Sequence, residues 1–144
     1  APTRIATGEM ASSRIIFKQL LQAKGFSIMQ IDATRVAGVN ENLANILMAA
    51  KFGIPVCPHA GGVGLWEMVS QLAMWDAVAV TGHHASRVVE FVDHLHQHFL
   101  EPSVIADGYY QAPLRPGSGA EMHQASIDEY SFPSGSYWKN EAQS

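Results

Sequence analysis

The chain has 144 residues, 47% of them apolar and 15% charged, which is enough for one domain with a real core and too apolar for disorder. A net charge of −4 with nine scattered lysines and arginines excludes a nucleic-acid-binding stripe, and no run approaches the ~20 apolar residues of a membrane span. The single cysteine, Cys57, excludes an internal disulfide and, set in an apolar run, points to a reducing, cytoplasmic setting.

In chain order, Arg4 to Glu9 reads as a short strand ending in Gly-Glu. Ser12 or Ser13 can cap a helix to about Ala23, with Ile16, Leu20 and Leu21 inward and Gly25 as its stop. Ser27 to Asp32 is a second strand ending in an acid. Asn40 then caps a helix carrying Leu43, Ile46, Leu47 and Ala50 at i, i+3, i+4 and i+7, closed by Gly53. Ile54 to Cys57 is a third strand, delivering His59 to its tip ahead of Gly61, Gly62 and Gly64. Its helix presents Leu65, Met68, Val69, Leu72 and Ala73. Ala77 to Gly82 reads as a fourth strand, and Ser86 to Phe99 as a fourth helix with Val88, Phe91, Val92 and Leu95 on one face.

Strand, loop and helix repeat four times, the pattern of parallel βα units. The strand ends carry Glu9, Asp32, His59 and a turn at Gly82 at near-equal intervals. In a (β/α)8 barrel such ends converge on one face, where active sites sit. The alternative is an open doubly wound sheet, but no strand-to-helix loop carries Gly-x-Gly-x-x-Gly or a P-loop lysine. A barrel needs about 250 residues, so four units make half of one. The expected fold class is therefore α/β, with residues 1–100 as the second half of a barrel. From Glu101 to Ser144, prolines and glycines break up the tyrosines, Phe132 and Trp138, and the segment reads as loops and short strands whose aromatics pack elsewhere.

Several stretches resemble the enolase superfamily, and its L-fuconate dehydratase group of acid-sugar dehydratases in particular. They are Thr7-Gly8-Glu9, Gln30-Ile31-Asp32, Gly38-Val39-Asn40-Glu41, Pro58-His59-Ala60-Gly61-Gly62-Val63-Gly64, and Val92 through Phe99. The tail is similar too, from Pro116-Gly117 through Ala120-Glu121-Met122 to Phe132-Pro133, Gly135 and Trp138. The resemblance implies the C-terminal half of a TIM-type (β/α)7β barrel, with residues 101–144 returning to a missing N-terminal capping domain. It implies that Glu9 is the last of three carboxylates holding Mg2+, that Asp32 and His59 form an Asp-His dyad, and that Glu90 contacts substrate. The Lys-x-Lys motif and the first two metal carboxylates lie upstream. Met10, often histidine in relatives, and His83-His84-Ala85, more usually Ser-x-Glu, depart from the pattern.

The implied reaction is Mg2+-dependent dehydration of a sugar acid, L-fuconate-like, to a 2-keto-3-deoxy acid through an enediolate. Such sites stabilise the enediolate with Mg2+ and a Lys or His base. An upstream lysine takes the C2 proton and His59 protonates the departing C3 hydroxyl. Asp32 holds the imidazole tautomer, and Glu9 supplies a hard oxygen ligand. The implied partners are a small-molecule sugar acid, the N-terminal half of the same enzyme, and further copies in a homo-oligomer. Two other outcomes stay open: racemisation or cycloisomerisation from the same intermediate, and a catalytically incomplete fragment.

Taken singly, these residues also have plainer readings. Glu9 suits the N-terminal side of the helix after it, and Glu90 the first turns of a helix, where acids are favoured. Asp32 alone is an ordinary loop acid, and the glycines could serve close packing only. His94, His96 and His98 invite a zinc site, but no acid or cysteine completes one and they read as solvated. His83 and His84 could reach the active-site rim.

Overall fold

The structure, a computed structural model, describes residues 2–85, 87–92 and 95–141. Strand β1 (Ala6–Thr7) pairs in parallel with β2 (Ile28–Met29), Ala6 opposite Ile28 and Thr7 opposite Met29. Met29 bridges Val56 in parallel on its other side. Backbone bonds extend this order past the short strands. Gln30 N–H donates to Thr7 O at 3.0 Å, Cys57 N–H to Met29 O at 2.9 Å, and His59 N–H to Ile31 O at 3.0 Å. Residues 87–92 lie next in line, Glu90 N–H reaching Pro58 O at 3.4 Å.

Helices α1 (Arg14–Gln22), α2 (Val39–Lys51) and α3 (Leu65–Trp75) follow the first three strand segments, as their periodicity predicts. The buried faces differ in detail. On α1, Phe17 (0% exposed) and Leu21 turn inward one turn apart, while Ile16 stays exposed. On α2 the inner face is Asn42, Asn45, Ile46 and Ala49, one position off the expected stripe, and Leu47 is exposed. On α3, Trp66, Val69 and Ser70 are buried and Met68 is exposed. Phe17, Leu21, Met29, Ile46, Ala49 and Val56 join one core between the first two helices and the strands. Burying Phe17 completely is worth about 1.5–3 kcal/mol.

The helix ends correct two expectations. Ser13 holds the N-cap position of α1, but its side chain makes no capping bond. Instead Glu41 of α2 accepts Arg14 N–H at 2.6 Å, and its second oxygen pairs with Arg14 Nε at 3.3 Å. A carboxylate from another helix thus satisfies a free amide of the first turn. At the other end the left-handed residue is Lys24 (φ 54), with Gly25 N–H closing onto Leu20 O at 2.9 Å.

The fourth βα unit does not form as expected. The expected strand Ala77–Gly82 is instead a wider π-helical turn, Asp76–Thr81, that continues α3 and ends at left-handed Gly82. Val78 is 83% exposed there, which a buried barrel strand would not allow. A short apolar run cannot be told from a continuing helix by pattern alone. The turn is held by buried Asp76, whose Oδ1 accepts Thr81 Oγ1 at 3.0 Å and meets Arg87 Nη2 at 2.5 Å. Among the described residues of 86–99, the expected α-helix is also absent. Its start at Ser86, and Asp93 and His94, lie outside the described residues. Residues 87–92 carry no helix, Leu95 has φ 64, and only His96–His98 form a 3₁₀ turn. A left-handed leucine is incompatible with an α-helix through that point.

Beyond Leu100 the expected loops and a short hairpin form, but two helices that the prolines and glycines do not suggest follow them. Strands β3 (Ile105–Ala106) and β4 (Tyr109–Tyr110) make a hairpin across Asp107-Gly108, both at positive φ, the backbone of a two-residue turn suited to Asp-Gly. Tyr110 stacks on Trp66 with ring centroids 3.6 Å apart. Helices α4 (Gln124–Tyr130) and α5 (Ser136–Glu141) pack on each other through Tyr130, Tyr137 and Trp138. Among the described residues, no helix is long and apolar enough to cross a membrane.

Candidate active site

The strand tips bring three of the four predicted site residues together. Glu9 follows Gly8, whose φ is 128 and where a Cβ would lie 2.9 Å from both Gln30 O and the Phe17 ring. His59 leaves the third strand segment held by its own N–H on Ile31 O. Glu90 comes from residues 87–92, not from a helix as its sequence surroundings predict. Its Oε2 lies 2.6 Å from His59 Nδ1 and accepts Ala60 N–H at 2.7 Å. Glu9 Oε2 approaches the same Nδ1 at 3.4 Å. His59 is largely covered (16% exposed side chain), Glu90 and Glu9 less so (34% and 44%). His59 Nδ1 is buried and has no hydrogen-bond partner of good direction. The Glu90 contact is therefore a close approach without hydrogen-bond geometry.

Asp32 occupies the expected strand end but not the expected role. Its Oδ1 accepts Thr34 N–H at 2.9 Å and Thr34 Oγ1–H at 2.7 Å, and its Oδ2 pairs with Arg35 Nε at 3.1 Å. The carboxylate nearest His59 Nδ1 is that of Glu90, not Asp32. Burial alone would raise the Asp32 pKa. The two Thr34 bonds, with the charges of His59 and Arg35, outweigh burial and hold it below the ordinary value. Neither Thr34 nor Arg35 carries a sequence signal that singles it out, though an Asp two residues before a threonine is a common local turn. Burial, helped by the Glu90 charge, pushes the free Cys57 thiol up from 9.0, so it stays protonated near neutrality.

The remaining histidines settle elsewhere. His96 Nδ1 lies 2.8 Å from buried Glu67 Oε1, and His98 Nδ1 lies 2.9 Å from Ser126 Oγ. Both are half-buried, not solvated as their polar surroundings suggest. His84 meets Tyr109 edge to face at 5.8 Å. Cavities of about 380 Å³ behind Trp66 and 330 Å³ beside Arg87 exist, but neither is lined by Glu9, His59 or Glu90. Glu9 and Glu90 remain partly exposed at the strand ends.

Residues 1–126 match the family described as "Enolase C-terminal domain-like". The chain belongs to that family. It is 54% identical over 129 residues to L-galactonate dehydratase of Hypocrea jecorina, covering 90% of this chain and 28% of that protein. The crystal structure of human mitochondrial enolase superfamily member 1 superposes with a TM-score of 0.92 at 49% identity, over 98% of this chain and 32% of that one. L-talarate dehydratase from Polaromonas sp. JS666, solved with Mg and L-glucarate, gives 0.69 at 29% identity, over 85% and 31%. The chain thus spans about a third of the relatives it matches.

Magnesium demands a near-octahedral set of oxygens. Among the described residues no group of three His, Cys, Asp or Glu side chains could hold a metal ion. Glu9, a partly exposed carboxylate at a strand tip, suits one such ligand position and does not make a site alone.

Proposed function

We propose that this chain supplies the C-terminal share of the active site of a sugar-acid dehydratase. The observation that carries this reading is the convergence of Glu9, His59 and Glu90 at adjacent strand tips, in a family whose members include named galactonate and talarate dehydratases. The substrate class is a six-carbon aldonic acid of the L-fuconate kind. Residues 101–144 return against the N-terminal capping part, and the upstream half of the same enzyme completes the barrel. The free Cys57 thiol supports a reducing compartment, the cytoplasm in this reading.

Hydroxide leaves poorly unless protonated, so the residue that donates to the C3 oxygen limits the reaction. In this reading His59 donates that proton and water departs, while an upstream lysine has taken the C2 proton; the enol product then tautomerises to a 2-keto-3-deoxy acid. Glu90 contacts substrate beside the imidazole, and Asp32 adds negative charge near it. Glu9 is this chain's ligand to Mg2+, which when bound supplies positive charge for the enediolate oxygens. General acid catalysis of this kind contributes about 10²- to 10⁴-fold. In the full-length enzyme, His59→Ala should abolish dehydration of a panel of six-carbon aldonic acids while leaving Mg2+ binding intact. Retained dehydration would refute the role.

A further inference from the structure

Resting on the reading of His59 as the proton donor, we infer that Gly61 is a positioning residue: the absence of its Cβ sets where the imidazole stands. A Cβ built on Gly61 would lie 2.8 Å from His59 Cε1, 3.3 Å from Nε2 and 3.7 Å from Nδ1. It would strike the ring at the carbon between the two nitrogens, nearer Nε2 than Nδ1.

Conformation does not explain this glycine. Gly8, Gly64 and Gly82 take positive φ values of 128, 70 and 74, but Gly61 is not among the positive-φ residues, so a left-handed backbone does not account for it. Space is what it provides. Its neighbour Gly62 differs again: a Cβ there would meet Leu65 Cβ at 3.6 Å, an ordinary contact.

The ring has little freedom to yield. Its Nδ1 already stands 2.6 Å from Glu90 Oε2 and 3.4 Å from Glu9 Oε2. Glu90 is itself fixed, by Ala60 N–H on its carboxylate, by Pro58 O on its amide, and by Tyr110 Oη–H on its carbonyl at 3.3 Å. Restoring normal contact distance to an added methyl requires the imidazole to swing by several tenths of an ångström, which changes the Glu90 contact. With carboxylates at Nδ1 and Gly61 against Cε1, Nε2 is the nitrogen left for a substrate hydroxyl. A shift of that order near a reacting atom can cost about 10²-fold in rate.

The test begins with the unaltered chain. Nuclear Overhauser contacts should join His59 Hε1 to the Gly61 α protons, and their absence overturns the assignment whether or not any variant folds. Gly61→Ala should then shift the His59 ring signals. In the full-length enzyme it should lower kcat about 10²-fold with KM little changed, whereas Gly62→Ala should do neither. Unchanged ring signals and turnover in Gly61→Ala overturn the inference, as does an equal loss from Gly62→Ala. If His59→Ala itself remains active, the reading of His59 fails. If His59→Ala is inactive and Gly61→Ala is not, only the role of Gly61 fails.

Discussion

Glu90 Oε2 stands 2.6 Å from His59 Nδ1 while accepting Ala60 N–H at 2.7 Å, so one carboxylate oxygen ties the imidazole to the backbone of the loop that follows it. Residues far apart in sequence are thereby locked into one face of the strand layer. The link also explains why residues 87–92 lie against Pro58 instead of continuing as a helix.

Glu90→Ala should leave Ala60 N–H without its acceptor and His59 Nδ1 without its nearest carboxylate. The expected loss of stability is about 1–3 kcal/mol, read from urea unfolding of the chain. Glu90→Gln keeps an acceptor oxygen and should lose clearly less. An Ala variant as stable as the parent would show that the contact contributes nothing to the fold.

The Thr34–Asp32 pair predicts a pH dependence. Asp32 has a lowered pKa in the folded chain, so the stability it contributes is present above its unfolded value, near 3.8, and is lost as pH falls through the lower folded value. Thr34→Ala removes the hydroxyl donor at 2.7 Å and keeps the amide donor at 2.9 Å. At pH 7 the variant should be less stable by about 1.5–3 kcal/mol, the range for hydrogen bonds to charged groups. Below the folded-state pKa the gap should narrow. A gap of equal size at pH 7 and at strongly acid pH would show that Asp32 ionisation is not involved.

The first three strand tips and their helices were legible because β-branched and apolar runs, ended by Gly8, Gly53 and Pro58, leave few other arrangements. Glu9, Asp32 and His59 followed from their places at those tips. Two features were not legible. The run Ala77 to Thr81 has strand-like residues, yet Asp76 binds Thr81 and Arg87 and keeps the chain coiled. Glu90 looked like a helical acid because Val88, Phe91, Val92 and Leu95 fit a helical stripe. Its true neighbours, Pro58, His59 and Ala60, are some thirty positions away, and only the tertiary fold shows them. The exchange of Asp32 for Glu90 beside the imidazole belongs to the same class, since local sequence does not encode which of two nearby acids meets a ring nitrogen.

Asp76 is buried, and its Oδ1 lies 2.5 Å from Arg87 Nη2, with Thr81 Oγ1 bound between them. Arg87 Nε is already buried without a hydrogen-bond partner. Asp76→Ala would leave a largely covered guanidinium without its carboxylate and should cost up to about 3–5 kcal/mol. Replacing both residues, as Asp76→Leu with Arg87→Met, should cost much less than the sum of the single changes. Additive losses in thermal unfolding of the four proteins would mean that the pair is not coupled.

Glu9 leads to the last prediction, on metal binding by this chain alone. One partly exposed carboxylate offers Mg2+ a single oxygen in place of tightly held water, and the ion dehydrates reluctantly. The side chain that meets Glu9 is His59, with Nδ1 at 3.4 Å, and it supplies no oxygen. Calorimetric titration of the 144-residue chain should therefore show no saturable Mg2+ binding tighter than about 1 mM, the loosest range of natural multi-oxygen cation sites. Glu9→Gln should leave the titration unchanged. Saturable binding at one ion per chain, lost in Glu9→Gln, would mean that this segment carries more of the metal site than one ligand, and the dependence on upstream carboxylates would have to be given up.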